Sequence, residues 1–344
     1  MITFLVVGRN DGYGINLHKR TALSLNFMTS LCEDPDDEII YVDCNTSSDD
    51  LTLTEAIADT LTPQARQRIK TYRVTGEQML SAIGETPLLF SDELSRNVGI
   101  RRSNPRNPWI LSTNCDVLIH PLGQSLLQSV SNLKPQFYLC PRVPVMIPQW
   151  QMLDRANIQQ IQEFCDAVIA QAFRLPPEKE QQWLRFDSVG DFQLAPRQQW
   201  FDIGGCEEAM KFWGYSDANN ARRLNLLNGG GRTPDLGDQL VVLHLNHNAN
   251  VNVSHEVVMI HNDLKTWIDD VTSPMSRNGK DWGLANIDLP LIRLNQNTNF
   301  SAKDILKTHR RPRTFFSSLR AKTQMKLWRI ATICASKLYI NVSK

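Results

Sequence analysis

The chain has 344 residues, of which 42% are hydrophobic and 21% charged, as in an ordinary soluble globular protein with a substantial core. The formal net charge of +1 conceals an asymmetry, because residues 305–344 carry ten Lys and Arg and no Asp or Glu, which leaves about −9 on the preceding part. The seven cysteines form no Cys-x-x-Cys pair, which argues against a zinc knuckle or a disulfide framework and favours reduced cytoplasmic thiols. Neither a signal peptide nor a membrane-spanning helix is expected, since the apolar runs are short.

Strands and helices alternate through the first half of the chain. The run ITFLVVG (2–8) is continuously apolar, which is typical of a strand buried on both faces of a sheet. This alternation predicts an α/β fold with a mostly parallel sheet flanked by helices. Further strands are predicted at 37–45, 69–74 and from Trp109, and helices at 20–31, 53–61 and 95–102.

The second half is less regular. Apolar residues from Ile158 to Ile169 form one helical stripe, which indicates core packing, and residues 228–238 (NGGGRTPDLGD) read as a flexible loop. The following run, QLVVLHLNHN, is predicted to be a strand that carries His244 and His247 near its end.

Polar side chains follow three of the predicted strands. Because ligands of parallel α/β sheets bind outside the carboxyl ends of the strands, these groups are expected to line one site. A simple preference of Asn and Asp for turns is the alternative. Cys115 should point the other way, into the core. The groups are Gly8, Arg9, Asn10 and Asp11 after the first strand, Asp43 at the end of the second, and Asn114 and Asp116 after the fourth.

Four segments resemble known motifs. EIIYVDCNTSSDD is similar to EIIVVDDGSTDDT of the family 2 glycosyltransferases of the GT-A fold, and SRNVGIRRS is similar to their ARNxGxxxA. WILSTNCDVLI lies where that family has its Asp-x-Asp metal motif, and GGCEEAMKFWGYSDANNARRL resembles the galactosyltransferase-type GGFDExFxGWGxEDxDLxxRL. The resemblance covers about residues 1–250 and implies a Rossmann-like GT-A domain that uses a nucleotide-sugar.

The resemblance implies a divalent metal site. Asp116 corresponds to a metal ligand, while Asn114 stands where the family has its first Asp and adds no charge. His244 and His247 are candidates for the family's third ligand, and their imidazoles favour Mn²⁺ over Mg²⁺. A regular strand would place the two rings on opposite faces, so only one is expected to ligate, with His247 preferred. Structural histidines are the alternative.

The resemblance also assigns the nucleotide contacts, with UDP favoured. Asp43 corresponds to the residue that accepts a hydrogen bond from the base, and the groups from Gly8 to Asp11 would line the nucleotide edge. Asn97 and Arg101 could contact ribose and diphosphate, although Arg101 and the adjacent Arg102 could instead form a solvated face. Gly204 and Gly205 would let the backbone approach the donor closely.

Asp217 is the expected catalytic base, because it matches the Asp of the family's Glu-Asp pair, whereas Ser216 replaces the Glu. A helix N-cap is the simpler interpretation of Asp217. Trp200 and Trp213 could stack on acceptor sugars, with ordinary core packing as the alternative for Trp213.

The predicted organisation is a glycosyltransferase domain at 1–300, with a nucleotide half (1–120) and an acceptor half (121–300), and a basic amphipathic helical segment at 301–344. Such a segment favours peripheral attachment to the anionic inner face of a membrane and suits a lipid-linked acceptor. Packing of the segment on its own acidic domain is the alternative, and no basic-aromatic motif supports nucleic-acid binding.

The sequence therefore predicts a metal-dependent inverting glycosyltransferase that moves a sugar from a nucleotide-sugar to a hydroxyl of a glycan or lipid-linked glycan. A GT-A-like protein that binds sugar nucleotide or glycan without turnover is the alternative, and the Asn114 and Ser216 departures are what favour it. A sugar-1-phosphate nucleotidyltransferase is disfavoured, because VVGRNDGYG is not the loop that such enzymes need.

Overall fold

Helices and strands are interspersed in the computed structural model, which describes residues 1–172, 189–247 and 261–294. The strands are β1 Ile2–Gly8, β2 Glu38–Cys44, β3 Ile69–Val74, β4 Trp109–Thr113, β5 Val117–Pro121, β6 Arg142–Val145, β7 Gln193–Pro196, β8 Leu240–Leu245 and β9 Leu291–Arg293. The α-helices are α1 Leu17–Ser30, α2 Leu53–Ala56, α3 Pro63–Arg68, α4 Gly76–Ile83, α5 Asp92–Arg102, α6 Leu126–Ser131, α7 Ile147–Gln151, α8 Ile158–Ala172, α9 Arg197–Asp202 and α10 Ser216–Leu227. Short 3-10 turns lie at Ala58–Thr60 and Val189–Asp191, and a π-helical turn lies at Lys265–Asp269.

The larger sheet has six strands in the order β7-β4-β1-β2-β3-β9. Its four central strands are parallel, and β7 and β9 pair antiparallel at the two edges. Alternate residues of β1 belong to two different hydrophobic clusters, because both faces of the sheet are covered: Phe4 and Val6 pack into one cluster, and Leu5 and Val7 into the other. The predicted α/β fold with a mostly parallel sheet is therefore confirmed.

A second sheet of three strands, in the order β5-β8-β6, packs over a third hydrophobic cluster. The stretch from Trp109 to Pro121 supplies β4 to the larger sheet and β5 to the smaller one. Residues 114–116 form the crossing between them, which explains why polar residues interrupt two apolar runs: the chain leaves one sheet there and enters the other.

Several boundaries differ from the sequence prediction for local reasons. Helix α5 begins at Asp92 rather than near residue 95, because the Ser91 side chain accepts a hydrogen bond from the Leu94 amide and caps the helix there. The split into halves at residue 120 does not follow the sheets, since β7 and β9 from the second half join the larger sheet.

The described residues all belong to one compact unit, Met1–Thr298. Within these residues no helix has the length and hydrophobicity needed to span a bilayer. The six cysteines described are free thiols. The basic segment at 301–344 lies outside the described residues, so its predicted amphipathic helix stays a prediction.

Candidate metal and nucleotide site at the junction of two sheets

The pairing of β5 with β8 assembles the three predicted metal ligands. Val117 pairs with His244, and the Leu245 amide donates to the Asp116 carbonyl at 2.9 Å. His247 Nε2 lies 3.1 Å from Asp116 Oδ2, and His244 Nδ1 lies 3.9 Å from Asp116 Oδ1. The expectation that only one ring would face Asp116 is corrected, because β8 ends at Leu245 and the alternation of a regular strand does not extend to His247.

This cluster has the properties of a cation site. One ligand atom each from Asp116, His244 and His247 lie within 4.8 Å of one another. The Nδ1 atoms of both histidines are buried and have no hydrogen-bond partner among the described residues. Two ligands at right angles around a cation, with bonds of about 2.1 Å, stand roughly 3 Å apart. The donor set of two imidazoles and a carboxylate suits Mn²⁺ and related transition metals.

Arg20 on α1 forms a buried ion pair with Asp116, at 2.5 Å between Nη1 and Oδ2. Its other nitrogens donate to the Ile15 and Tyr13 carbonyls. Burial alone would raise the pKa of Asp116, but His244, His247 and Arg20 more than offset it and hold that pKa well below its usual range. Asp116 is therefore an ionised carboxylate. Sequence reasoning missed Arg20, which is a fully buried arginine in helix α1.

The loop after β1 encloses the same corner. Gly14 has a φ of +67°, and a Cβ there would lie 2.6 Å from His247 Nδ1 and 2.9 Å from Arg20 Nη2. The Tyr13 ring meets the His247 ring edge-on at a centroid distance of 5.1 Å. A larger residue at position 14 would therefore displace the His247 ring.

Asp191 lies on the opposite side of the cluster and is 4% exposed. The antiparallel pairing of Ser112 with Gln193 brings it beside Asn114, whose Nδ2 donates to Asp191 Oδ1 at 2.7 Å. Its Oδ2 lies 2.9 Å from Arg142 Nη1 and 3.4 Å from His244 Nδ1. Burial would raise the pKa of Asp191, but His244 and Arg142 lower it overall. Sequence reasoning missed Asp191 and Arg142, because only long-range pairing brings them here.

Asp217 lies beside the Asp191 segment, in the first turn of α10. A Cβ on Gly190 would stand 2.7 Å from Asp217 Oδ2, so this carboxylate packs directly against the backbone that leads into Asp191. Tyr215 rather than Asp217 occupies the N-cap position, which disfavours the simple capping role. Burial raises the pKa of Asp217, and Asp92 and Asp191 add to the effect against the Arg96 charge and the bond from the Ala218 amide.

The residues from Gly8 to Asp11 also lie at this edge of the larger sheet. Arg9 Nε donates to the Asn45 carbonyl at 2.7 Å, and the Asn10 amide donates to Thr46 Oγ1 at 2.9 Å. Asp11 Oδ1 accepts from the Tyr13 amide at 2.9 Å. These side chains are half-buried, so contacts from Arg9, Asn10 and Asp11 to a nucleotide stay a prediction.

Asp43 is at the same edge, opposite Gly8 in the β1–β2 register, but it is completely buried. Its Oδ2 accepts from the Leu53 amide at 2.8 Å, whereas its Oδ1 is buried without a partner among the described residues. Burial raises the pKa of Asp43 to about 6. A nucleobase would reach Asp43 only after the segment around Leu53 moves away, so the predicted contact has no open path here.

Asn97, Gly204 and Gly205 form a separate packing network. The Asn97 amide donates to the Cys206 carbonyl and Glu208 Oε1, and its oxygen accepts from the Cys206 amide. Both glycines have a φ of +73°, and a Cβ on Gly205 would lie 2.4 Å from Asn97 Oδ1. The groups nearest to a Cβ on these glycines are protein side chains, Asn97 and Trp282 for Gly205 and Ser276 for Gly204. Contacts of Asn97, Gly204 and Gly205 with the donor stay a prediction.

Arg101 belongs to this network as well. Its guanidinium stacks over the Trp282 ring at 4.0 Å and donates to the Trp282 and Lys280 carbonyls. The ordered contacts of Arg101 are thus with residues 280–282, and a diphosphate contact stays a prediction.

The two tryptophans predicted to bind acceptor differ in exposure. Trp200 is fully buried in the cluster that covers one face of the larger sheet, which corrects its predicted acceptor role. Trp213 is 41% exposed and lies four residues before Asp217, where a sugar could reach it. Its contact with an acceptor stays a prediction.

No protein-family model matches this chain, and no curated protein matches it. Similar solved structures include the galactosyltransferase LgtC in complex with donor and acceptor sugar analogs, at 11% identity and a TM-score of 0.31, covering 58% of this chain and 62% of that one. GalNAc-T7 with UDP, GalNAc and Mn²⁺ aligns at 11% identity and a TM-score of 0.42, covering 72% and 44%. The catalytic domain of Drosophila β1,4-galactosyltransferase 7 with xylobiose aligns at 12% identity and a TM-score of 0.34, covering 76% and 80%.

The chain spans less than two thirds of the two LgtC chains that it matches, 45% and 62% of their lengths. The chemistry proposed below accordingly rests on the side chains of this protein.

Proposed function

We propose that this protein is a metal-dependent inverting glycosyltransferase that moves a sugar from a UDP-sugar to a hydroxyl of a glycan or lipid-linked glycan. The observation that carries the proposal is the meeting of Asp116, His244 and His247 at the junction of the two sheets, with their ligand atoms within 4.8 Å. Asp217 lies beside the same junction through its contact with Gly190.

Asp116, His244 and His247 would hold the cation, and Mn²⁺ fits this donor set better than Mg²⁺. A bound divalent cation supplies positive charge beside the diphosphate of the leaving group. Arg20 keeps the Asp116 carboxylate ionised and oriented, and the Gly14 turn fixes the plane of the His247 ring.

Asp217 is the proposed base. Its carboxylate takes the proton of the acceptor hydroxyl while that oxygen bonds to the anomeric carbon. The bond from this carbon to the diphosphate oxygen breaks, and the nucleoside diphosphate leaves with the electron pair. Direct displacement inverts the anomeric configuration. Burial raises the pKa of Asp217 above its usual range, which makes it a stronger base than an exposed carboxylate.

The exposed Trp213 and Tyr215 precede Asp217 and offer aromatic surface for an acceptor sugar. The ten basic residues of the segment 305–344 support a location at the inner face of an anionic membrane, where a lipid-linked acceptor would be present. Identity of the acceptor and membrane attachment are part of the proposal.

The test is transfer from a panel of UDP-sugars with Mn²⁺, comparing wild type with Asp217→Asn. We expect the variant to lose about 1,000-fold in turnover and to bind UDP with Mn²⁺ within about twofold of wild type, because only proton removal is lost. Asp202→Asn is the matched control, since Asp202 ends the neighbouring helix α9 and is exposed.

Normal transfer by Asp217→Asn would exclude it as the base. Tight UDP binding by wild type without hydrolysis or transfer on a broad acceptor panel would favour the non-catalytic binding protein instead.

A further inference from the structure

The candidate metal centre lacks one carboxylate that its sequence pattern leads one to expect. Position 114 carries an amide, and Asn114 Oδ1 accepts from Arg96 Nη2 at 2.9 Å. The Asn114 amide group is thus held between the Arg96 guanidinium and the Asp191 carboxylate, to which its Nδ2 donates at 2.7 Å. The Asp191 carboxylate therefore lies directly beside position 114, where the expected carboxylate is absent.

The distances around His244 Nδ1 place Asp191 next to the cluster, beside this nitrogen. Asp191 Oδ2 is 3.4 Å from this nitrogen, which is closer than Asp116 Oδ1 at 3.9 Å. Ligand atoms next to one another on a single cation stand about 3 Å apart. His244 Nδ1 has no hydrogen-bond partner among the described residues, and a cation shared with the two carboxylates would satisfy it.

A second carboxylate also balances the charges around the site. Asp116 is paired with Arg20 and Asp191 with Arg142, so the four side chains cancel one another when the imidazoles are neutral. Without Asp191 the remaining side chains (Asp116, Arg20, Arg142 and the neutral imidazoles) would carry a net positive charge before a metal ion binds. A divalent cation would then be repelled rather than held, because the pairs are nearly buried and weakly screened.

We propose that Asp191 supplies the second carboxylate ligand of the metal centre, in place of the acid missing at Asn114. The ligand set is then two carboxylates and two imidazoles, drawn from the crossing segment, the 3-10 turn before β7 and the end of β8. This rests on the metal-binding part of the proposed function. It does not depend on Asp217 or on turnover.

The test is direct Mn²⁺ binding to the full chain, measured by the loss of the free Mn²⁺ signal in electron paramagnetic resonance. Asp191→Asn is expected to raise the Mn²⁺ dissociation constant at least about 10-fold. The double variant Asn114→Asp with Asp191→Asn exchanges acid and amide between two hydrogen-bonded positions. It is expected to recover most of the affinity, because the carboxylate stays within the site and Arg96 is there to pair with it.

Asp166→Asn is the matched control. It removes a carboxylate 2.9 Å from His120, a histidine of β5 that is not part of the cluster, and it should bind Mn²⁺ as wild type does. Circular dichroism and thermal melting of each variant establish that it is folded.

Wild-type affinity in Asp191→Asn would overturn this assignment and leave the rest of the site intact. Failure of the exchanged double variant to bind better than Asp191→Asn would overturn the second part of the proposal, that Asp191 stands in for an acid at position 114. An absence of Mn²⁺ binding by wild type would overturn the proposed metal dependence itself, which separates the two failures.

Discussion

Two buried polar regions of this protein use their hydrogen-bonding capacity in opposite ways. We call the first the junction cluster (Asp116, Asp191, His244 and His247) and the second the glycine-turn network (Asn97, Gly204, Gly205 and Trp282). In the junction cluster two imidazole nitrogens are buried without a partner among the described residues. In the glycine-turn network the Asn97 amide makes three hydrogen bonds to neighbouring protein groups.

Both regions contain residues singled out from family-like motifs, so motif membership does not separate them. The two regions differ in whether buried polar atoms lack a hydrogen-bond partner, because burying an unpaired polar atom is costly unless a ligand satisfies it. The junction cluster is therefore the better candidate for binding, and the glycine-turn network for stability.

The largest expected effect tests the glycine-turn network. Asn97→Ala removes three buried hydrogen bonds and leaves the Cys206 amide and carbonyl with fewer partners, so we expect a loss of about 3 kcal/mol in unfolding free energy. Urea unfolding measures the stability, and calorimetry measures UDP binding in the presence of Mn²⁺, which should stay within about twofold. Asn132→Ala, at the exposed end of α6, is the control. Unchanged stability with lost UDP affinity would return Asn97 to the nucleotide site.

The next effect tests the junction cluster. His247→Ala should weaken Mn²⁺ binding about 50-fold, because it removes a ligand nitrogen 3.1 Å from the Asp116 carboxylate. The unfolding free energy should fall as well, because the Nε2 contact with the Asp116 carboxylate is lost, so Mn²⁺ affinity is the measurement that identifies the ligand. His120→Ala is the matched control: His120 Nε2 lies 2.9 Å from Asp166 Oδ1 and its Nδ1 is likewise unpartnered, so its loss should cost stability and leave Mn²⁺ affinity unchanged. Unchanged Mn²⁺ affinity in His247→Ala would exclude His247 as a ligand.

A smaller effect should follow from moving a ligand without removing it. Gly14→Ala places a Cβ 2.6 Å from His247 Nδ1, so the ring must shift and Mn²⁺ affinity should fall about 10-fold. Gly123→Ala is the matched control, because Gly123 also has a positive φ, of +88°, but nothing stands within 4 Å of its Cβ. Both variants should lose about 1 kcal/mol of stability from backbone strain alone. Equal Mn²⁺ affinity in the two would show that the Gly14 turn does not fix the His247 ring.

Local patterns in the sequence were sufficient for much of the fold. Strands β1 and β3 begin and end as predicted, at 2–8 and 69–74. For β1 the reason is that continuous burial leaves a continuous apolar signal. Asp116 could be placed at the site because the carboxyl ends of parallel strands share one sheet edge.

The remaining site residues depend on contacts between distant segments, which leave no local signal. Arg20 reaches Asp116 across 96 positions, and Arg142 reaches Asp191 across 49. The β8 strand ends two residues before His247, and this end, which the apolar pattern did not mark, decides whether one ring or two face the carboxylate. Asn97 illustrates a different limit of sequence prediction. A motif match identifies the residue but does not tell whether its amide faces a ligand or the protein.

The smallest expected effect concerns the boundary between the two regions, where α5 begins near Asp217. Asp92 raises the pKa of Asp217, while Arg96, which pairs with Asp92 at 2.6 Å, lowers it. Asp92→Asn removes the carboxylate that raises the pKa of Asp217. It also leaves the Arg96 charge, which lowers that pKa, without its ion-pair partner, so both changes lower the pKa of the base. With Mn²⁺ and donor saturating, the acidic limb of the kcat–pH profile should move to lower pH. Asp36→Asn, which breaks the exposed pair with Arg106, should leave the limb in place. A shift of the limb to higher pH would mean that a group other than Asp217 controls it, because the charge changes around Asp217 allow only the opposite direction.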